Sequence, residues 1–209
     1  MIKIDKITIS YIPEYSTLMN ICCELDQNSF ISGSIDDGTH SLLRVISKID
    51  TYYHGDIYID DVNIKQIRDR DLDLAYVPHE PYLFKKDIFS NLYYPLKIRG
   101  IKINTARHMI DDIISQYASN MPAKIKKLSH SEKKIIALLR AIIRKPKYVL
   151  IEDFFTDLDD KYRSIACNII NAISNTSIII ACDTNLIECY RSYKQYELSY
   201  GQLNESIND

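Results

Sequence analysis

Residues 2–10, IKIDKITIS, alternate apolar and polar positions and are rich in isoleucine, the pattern of a half-buried strand. Residues 18–26 predict a second strand. Ser29–Gly33 is a short apolar segment, followed by a polar loop, SIDDGTH. From Ser41 to Ile49 the apolar positions change period. Leu42, Leu43, Val45, Ile46 and Ile49 fall at helical spacing. HGDIYIDD predicts a strand entered through Gly55. LDLAYVP predicts another, stopped by Pro78, because the residue before a proline is pushed towards extended backbone.

The second half repeats strand and helix in alternation. After EPYLFKKDIFSNLYYPLKIRG comes a helical stretch over about residues 104–118. Lys124–Lys127 leads into a long helix from about Ser131 to Arg144, ended before Pro146. KYVLIED is nearly continuous in apolar residues, as expected for the centre of a parallel sheet. Residues 160–174 predict a helix, TSIIIACD a further buried strand, 185–191 a short helix and QYELSYGQL a hairpin-like pair. Such alternation implies an α/β fold, with a mostly parallel sheet covered on both sides. The helices inserted at about 85–145 suggest a helical subdomain.

Composition narrows the function classes. A chain of 209 residues with 46% hydrophobic content has material for a sizeable core. Its net charge of -2 argues against a general nucleic-acid binder, so no nucleic acid partner is expected. No stretch reaches the ~18 apolar residues of a membrane span. The start, MIKIDKITIS, has no apolar core of a signal peptide. The five cysteines are odd in number and fit no zinc spacing; three lie in apolar or helical contexts and are expected as buried thiols, in a reducing compartment.

Candidate chemistry concentrates at Gly33–Ser41. A loop that cradles phosphates needs glycines, so that backbone N–H groups can point inward. It also needs a lysine for the β- and γ-phosphates and a hydroxyl for magnesium. Gly33 and Gly38 have that spacing between a strand and a helix, but Thr39 stands at the lysine position and His40 at the hydroxyl position. Asp36 and Asp37 add two negative charges where a polyphosphate would sit. A helix N-terminus favours an anion by only about 0.3–1 kcal/mol when exposed. By itself, the segment reads more readily as an acidic strand–helix turn than as a phosphate loop.

The segments together resemble the nucleotide-binding domain of ABC (ATP-binding cassette) transporters, in order and over nearly the whole chain. GSIDDGTHSLLRVISKI resembles the Walker A loop and helix, and GDIYIDDVNI the strand pair after it. LAYVPHEPYLFKKDIFSNLYYPLKIRG is similar to the Q-loop region. LSHSEKKIIALLRAIIRKPKYVLIEDFFTDLDD resembles the signature helix, Walker B strand and D-loop, and TSIIIACD the switch-histidine strand. The resemblance implies a P-loop NTPase-like parallel sheet core of ABC ATPase type, with an antiparallel β part and a helical subdomain, as one cassette over 1–209.

Carried over residue by residue, the resemblance implies an adenine-stacking role for Tyr11. It implies phosphate contacts from Gly33, Gly38, Thr39, His40 and Ser41, and a contact from Ser129 to a partner subunit's nucleotide. Leu158 and Asp159 match the end of the D-loop. The departures fall on the chemistry. His79 stands at the Q-loop glutamine, and His130 and Ser131 stand at the two signature glycines. Glu152 replaces the magnesium-binding aspartate, Asp153 the catalytic glutamate and Cys182 the switch histidine. His40 and Glu152 therefore hold the degenerate magnesium positions.

A carboxylate one methylene shorter at Asp153 displaces a reacting group by ~1 Å, enough to cost ~10²-fold in rate. A neutral thiol at Cys182 is a weak donor. Without the lysine, a fixed positive charge on the transferring phosphoryl group is lost. The expectation is an ABC-type ATPase by fold, with ATP and Mg2+ as the family's cofactors and hydrolysis weak or lost. Expected partners are a transmembrane permease subunit and a second cassette, as homo- or heterodimer, at the cytoplasmic face of a membrane. Tyr82, Leu83, Phe84, Phe89, Tyr93 and Tyr94 are the expected docking anchors, although at least half should pack internally. An active ATPase with unusual residues, and a soluble interaction or regulatory module, are the competing expectations. A metal cluster of His40, His79 and His130 with Glu152 or Asp153 competes with solvated or hydrogen-bonded histidines, which spacing favours.

Overall fold

The computed structural model describes residues 1–10, 17–33, 36–182 and 190–206. Two sheets make up the β structure. A four-stranded antiparallel sheet has the order β2-β1-β4-β5, with β1 Ile2–Ile9, β2 Leu18–Leu25, β4 His54–Ile59 and β5 Val62–Asn63. A six-stranded sheet has the order β10-β9-β3-β8-β7-β6. Its strands are β3 Ser29–Ser32, β6 Leu74–Val77, β7 Tyr148–Glu152, β8 Ser177–Cys182, β9 Lys194–Ser199 and β10 Gln202–Glu205. Neighbours from β9 to β6 run parallel, and β10 closes the edge antiparallel to β9. The α/β class, the parallel core and the antiparallel part are those expected from the sequence.

Why β7 and β8 read as continuous apolar runs is visible in their two faces. Successive residues of a strand point to opposite sides. Tyr148, Leu150, Ile179 and Ala181 join a core shared with the antiparallel sheet and α1, Thr39–Ile46. Val149, Ile151, Ile178, Ile180 and Cys182 join a second core beneath the helices. Both faces are covered, so polar alternation is absent.

The helical layer consists of α2 Ile88–Ile98, α3 Ile103–Tyr117, α4 His130–Ile142 and α5 Asp160–Asn171. Several boundaries differ from expectation for local reasons. α1 begins at Thr39, two residues early, and stops at Ile46, three residues before Ile49. Lys48 takes a left-handed backbone (φ 60°), and Ile49 is left 47% exposed. α2 forms despite Pro95 within it, capped by Asp87, whose side chain accepts from Ser90 N–H at 2.6 Å. α4 starts at His130 because Ser129 and Glu132 form a reciprocal capping box. α5 ends at Asn171 rather than residue 174. The short helix expected over 185–191 falls largely outside the described residues.

Strand β1 keeps Ile2, Ile4, Ile7 and Ile9 buried although their spacing slips by one. A bulge between Ile4 and Ile7 absorbs the extra residue, with Lys6 at φ 54°. Opposite it, Gly55 lies so close that a Cβ would meet the Lys6 carbonyl oxygen at 2.4 Å. The strand entry foreseen at Gly55 thus has a steric cause.

Candidate functional site

In a sheet of this kind, ligands bind beyond the carboxyl ends of the parallel strands. The loop from β3 to α1 lies there. Gly33 follows β3, and its N–H donates to the Cys182 carbonyl at 3.2 Å. A Cβ on Gly33 would stand 2.5 Å from the Leu198 carbonyl oxygen. Gly38 caps α1 with φ 99°, and its carbonyl accepts from Leu42 N–H at 2.9 Å. Both outer glycines are therefore required by the backbone, whatever the loop binds. Asp37 turns its carboxylate to the β9–β10 turn, accepting from Tyr200 N–H at 3.2 Å. Thr39 and Ser41 are buried in the first turn of α1.

Between them, His40 projects towards the end of β7. Its Nδ1 meets Glu152 Oε1, and the other oxygen of Glu152 accepts from the Tyr76 hydroxyl. The Glu152 side chain is only 5% exposed, while that of His40 is 43% exposed. Burial, followed by the bond to Glu152, pushes the Tyr76 phenol well above its ordinary pKa. Tyr76 was absent from the sequence-based candidates. Nothing in the chain marks it, since it reaches Glu152 from 76 residues away.

The next residue, Asp153, has φ 35° and donates its N–H to the Ala181 carbonyl at 2.7 Å. Its Oδ1 accepts from Thr156, and its Oδ2 lies 3.3 Å from His79 Nδ1. That same nitrogen is 2.9 Å from the Asp153 carbonyl oxygen. His40 and His79 thus pair with consecutive acidic residues rather than with each other. Among the described residues, no group of three or more His, Cys, Asp or Glu side chains is arranged to hold a metal ion.

Cys182 is buried at the end of β8. Ser129 lies in the capping box, its Oγ accepting from Glu132 N–H at 3.2 Å, while its own N–H donates to Glu132 Oε2 at 2.7 Å. Ser131 donates to Asp159 at 3.0 Å, tying α4 to the loop before α5. Tyr11 lies outside the described residues.

Sequence reasoning also missed Lys134. It is fully buried, and its ammonium donates to the carbonyls of Phe154 and Thr156 at 3.0 and 2.6 Å. Burial lowers its pKa, opposed by Asp153, Asp157 and Glu80. The signal was available: Ser131, Lys134, Ile135 and Leu138 share one helical face, so a lysine there sits among core positions.

A second feature lies on α2 and the loop before it. Tyr82, Phe84, Phe89, Tyr93 and Tyr94 line a groove of about 890 Å³ with Lys85, Lys86 and Lys97. Tyr82 is 74% exposed and Tyr94 49%. Leu83 instead packs inward, as do parts of Phe89 and Tyr93. The fully buried Asn91 fixes the loop, accepting from Phe84 N–H at 2.8 Å and donating to the Phe84 carbonyl at 3.1 Å.

Residues 16–155 match the family model described as ABC transporter. An sn-glycerol-3-phosphate import ATP-binding protein, UgpC, of Yersinia enterocolitica is 28% identical over 167 residues, covering 78% of this chain and 46% of that protein. The tungstate uptake system ATP-binding protein TupC of Peptoclostridium acidaminophilum is 27% identical over 152 residues, 70% of each chain. The chain spans about half the length of the UgpC proteins it matches. A dimeric ATP-binding cassette, MJ0796, in a post-hydrolysis state with ADP and Pi superposes with a TM-score of 0.85 at 17% identity, covering all of both chains. An ATP-bound bacterial Atm1-family exporter gives 0.81 at 19% identity, over 98% of this chain and 38% of that one. These superpositions show a P-loop NTPase-like fold of the ABC ATPase type.

Proposed function

The chain belongs to the ABC transporter family, and from that premise we propose that it is a cassette subunit of a membrane transport complex whose own nucleotide site is impaired in hydrolysis. The relatives named for import and uptake support a transport role, and the dimeric neighbour supports pairing with a second cassette. The helices over about 85–145 act in this reading as the subdomain that meets a transmembrane permease at the cytoplasmic face. The exposed Tyr82 and Tyr94 supply the aromatic anchors common at interface centres. Among the described residues, no helix is long and apolar enough to cross a membrane.

The observation that carries the impairment is the closure of Glu152 by His40 and Tyr76. Magnesium takes oxygen ligands in near-ideal octahedral geometry. Here the family's hydroxyl ligand is an imidazole, and both carboxylate oxygens already have protein partners. The residues present do not fit the ion. Thr39 at the lysine position also removes the charge that would steady a transferring phosphoryl group. Mild-detergent extraction of the native complex, followed by identification of the copurifying chains, tests the assembly. A transmembrane partner and a second cassette are expected. Recovery without membranes, bound to a non-transporter protein, would refute the reading.

A second reading, an active ATPase with unusual residues, is favoured by the relatives. Proteins named for ATP binding and a structure captured after hydrolysis match this chain, and the comparisons support turnover better than its loss. Asp153, held by Thr156 and beside His79, is the residue on which such turnover would depend.

A further inference from the structure

We infer that His40 and Tyr76 close Glu152, beside the β3–α1 loop, to magnesium-class cations. This rests on the reading of that loop as a phosphate loop. Glu152 ends β7, a strand whose five residues are all buried. A cation must therefore reach it past its partners rather than from open solvent. One oxygen meets His40 Nδ1 and the other accepts from Tyr76.

Both partners are anchored by backbone. Tyr76 stands on β6, directly opposite Leu150 of β7. His40 stands in the first turn of α1, whose following Leu42 and Leu43 are fully buried. A buried carboxylate needs compensation, and protein groups supply it here. Magnesium would need those same oxygens at about 2.0–2.1 Å and room for waters, while imidazole suits softer metals. The neighbouring Asp153 offers no substitute, since its two oxygens face Thr156 and His79.

The test uses Mn2+ as a paramagnetic stand-in for magnesium, titrated into the full chain without nucleotide, because ADP itself binds Mn2+. Free Mn2+ is read by electron paramagnetic resonance, and circular dichroism checks folding. The unaltered protein is expected to leave the signal of free Mn2+ unchanged. His40→Ser places a hydroxyl at the metal position and releases one carboxylate oxygen. It is expected to raise Mn2+ affinity by about tenfold or more, the lower end of the outer-shell scale. Tyr76→Phe keeps the ring and releases the other oxygen, and a smaller gain is expected. Mn2+ bound by the unaltered protein would overturn the inference. Mn2+ absent from both folded variants would overturn it too, because His40 and Tyr76 would then not be what excludes the ion. If His40→Ser does not fold, the unaltered protein and Tyr76→Phe still decide. Absence of a membrane partner would sink the transport reading and leave this result untouched.

Discussion

The loop end of the parallel sheet and the aromatic groove on α2 solve opposite problems. At the sheet end Glu152, Asp153 and Asp37 have protein partners: Glu152 meets His40 and Tyr76, Asp153 meets Thr156 and His79, and Asp37 accepts from the Tyr200 N–H. Tyr82, in the loop before α2, and Tyr94 on α2 keep exposed rings, and Asn91 ties that loop at Phe84. One region is satisfied by the chain itself. The other presents large, partly exposed rings packed edge-on about Phe84. On the proposed reading, recognition lies at this groove, while Glu152 and Asp153 at the sheet end serve the protein's own hydrogen bonding.

The largest expected effect sharpens the first half of the contrast. Lys134→Ala removes a buried side chain and leaves the Phe154 and Thr156 carbonyls without their donor, and should cost about 3 kcal/mol of stability in urea unfolding. A loss within 0.5 kcal/mol, about the scatter of surface substitutions, would show that the loop carrying Asp153 holds itself. Glu152→Ala should cost about 2 kcal/mol, because the partly buried Tyr76 hydroxyl loses its acceptor. A neutral outcome would break the idea of a closed set. Glu132→Ala should cost about 1 kcal/mol by opening the α4 capping box.

On α2 the expectation reverses. Tyr82→Ala should leave stability within about 0.5 kcal/mol. It should nevertheless release the chain from its complex on detergent extraction. Retention of the partner would contradict docking through this groove.

The smallest effect lies away from both regions. Burial would raise the Asp60 pKa, but hydrogen bonds from Lys147, the Met1 amine and Tyr148 outweigh it and hold the carboxyl at about 2, below its ordinary 3.8. A depressed carboxylate stabilises the fold above 3.8 and loses that contribution as pH falls through about 2. Asp60→Asn should therefore flatten the stability profile between those two values, by an amount reduced by its solvent exposure. An unchanged slope would remove Asp60 from acid unfolding.

How much of this was legible in the chain differs by level. The apolar runs of β7 and β8, the amphipathic face of α4 and the glycines at 33, 38 and 55 announced the fold, because each reflects a local or periodic constraint. The early end of α1 was not legible, since it depends on the left-handed turn at Lys48. Nor were the bounds of α2, which forms with Pro95 inside it. At the site, the sequence pointed to Glu152 and His40 separately, but their pairing spans 112 residues and exists only after folding. Tyr76 was invisible for the same reason. Lys134 was visible as a lysine on an apolar helical face and was passed over.

Phosphate release from Mg-ATP by the purified chain, alone and as Asp153→Asn, tests the closed site most directly. Closure predicts a rate below about 0.01 s⁻¹, roughly a thousandth of the ~10 s⁻¹ median for enzymes. Turnover of about 1 s⁻¹ or faster that Asp153→Asn abolishes would contradict it and establish an active cassette.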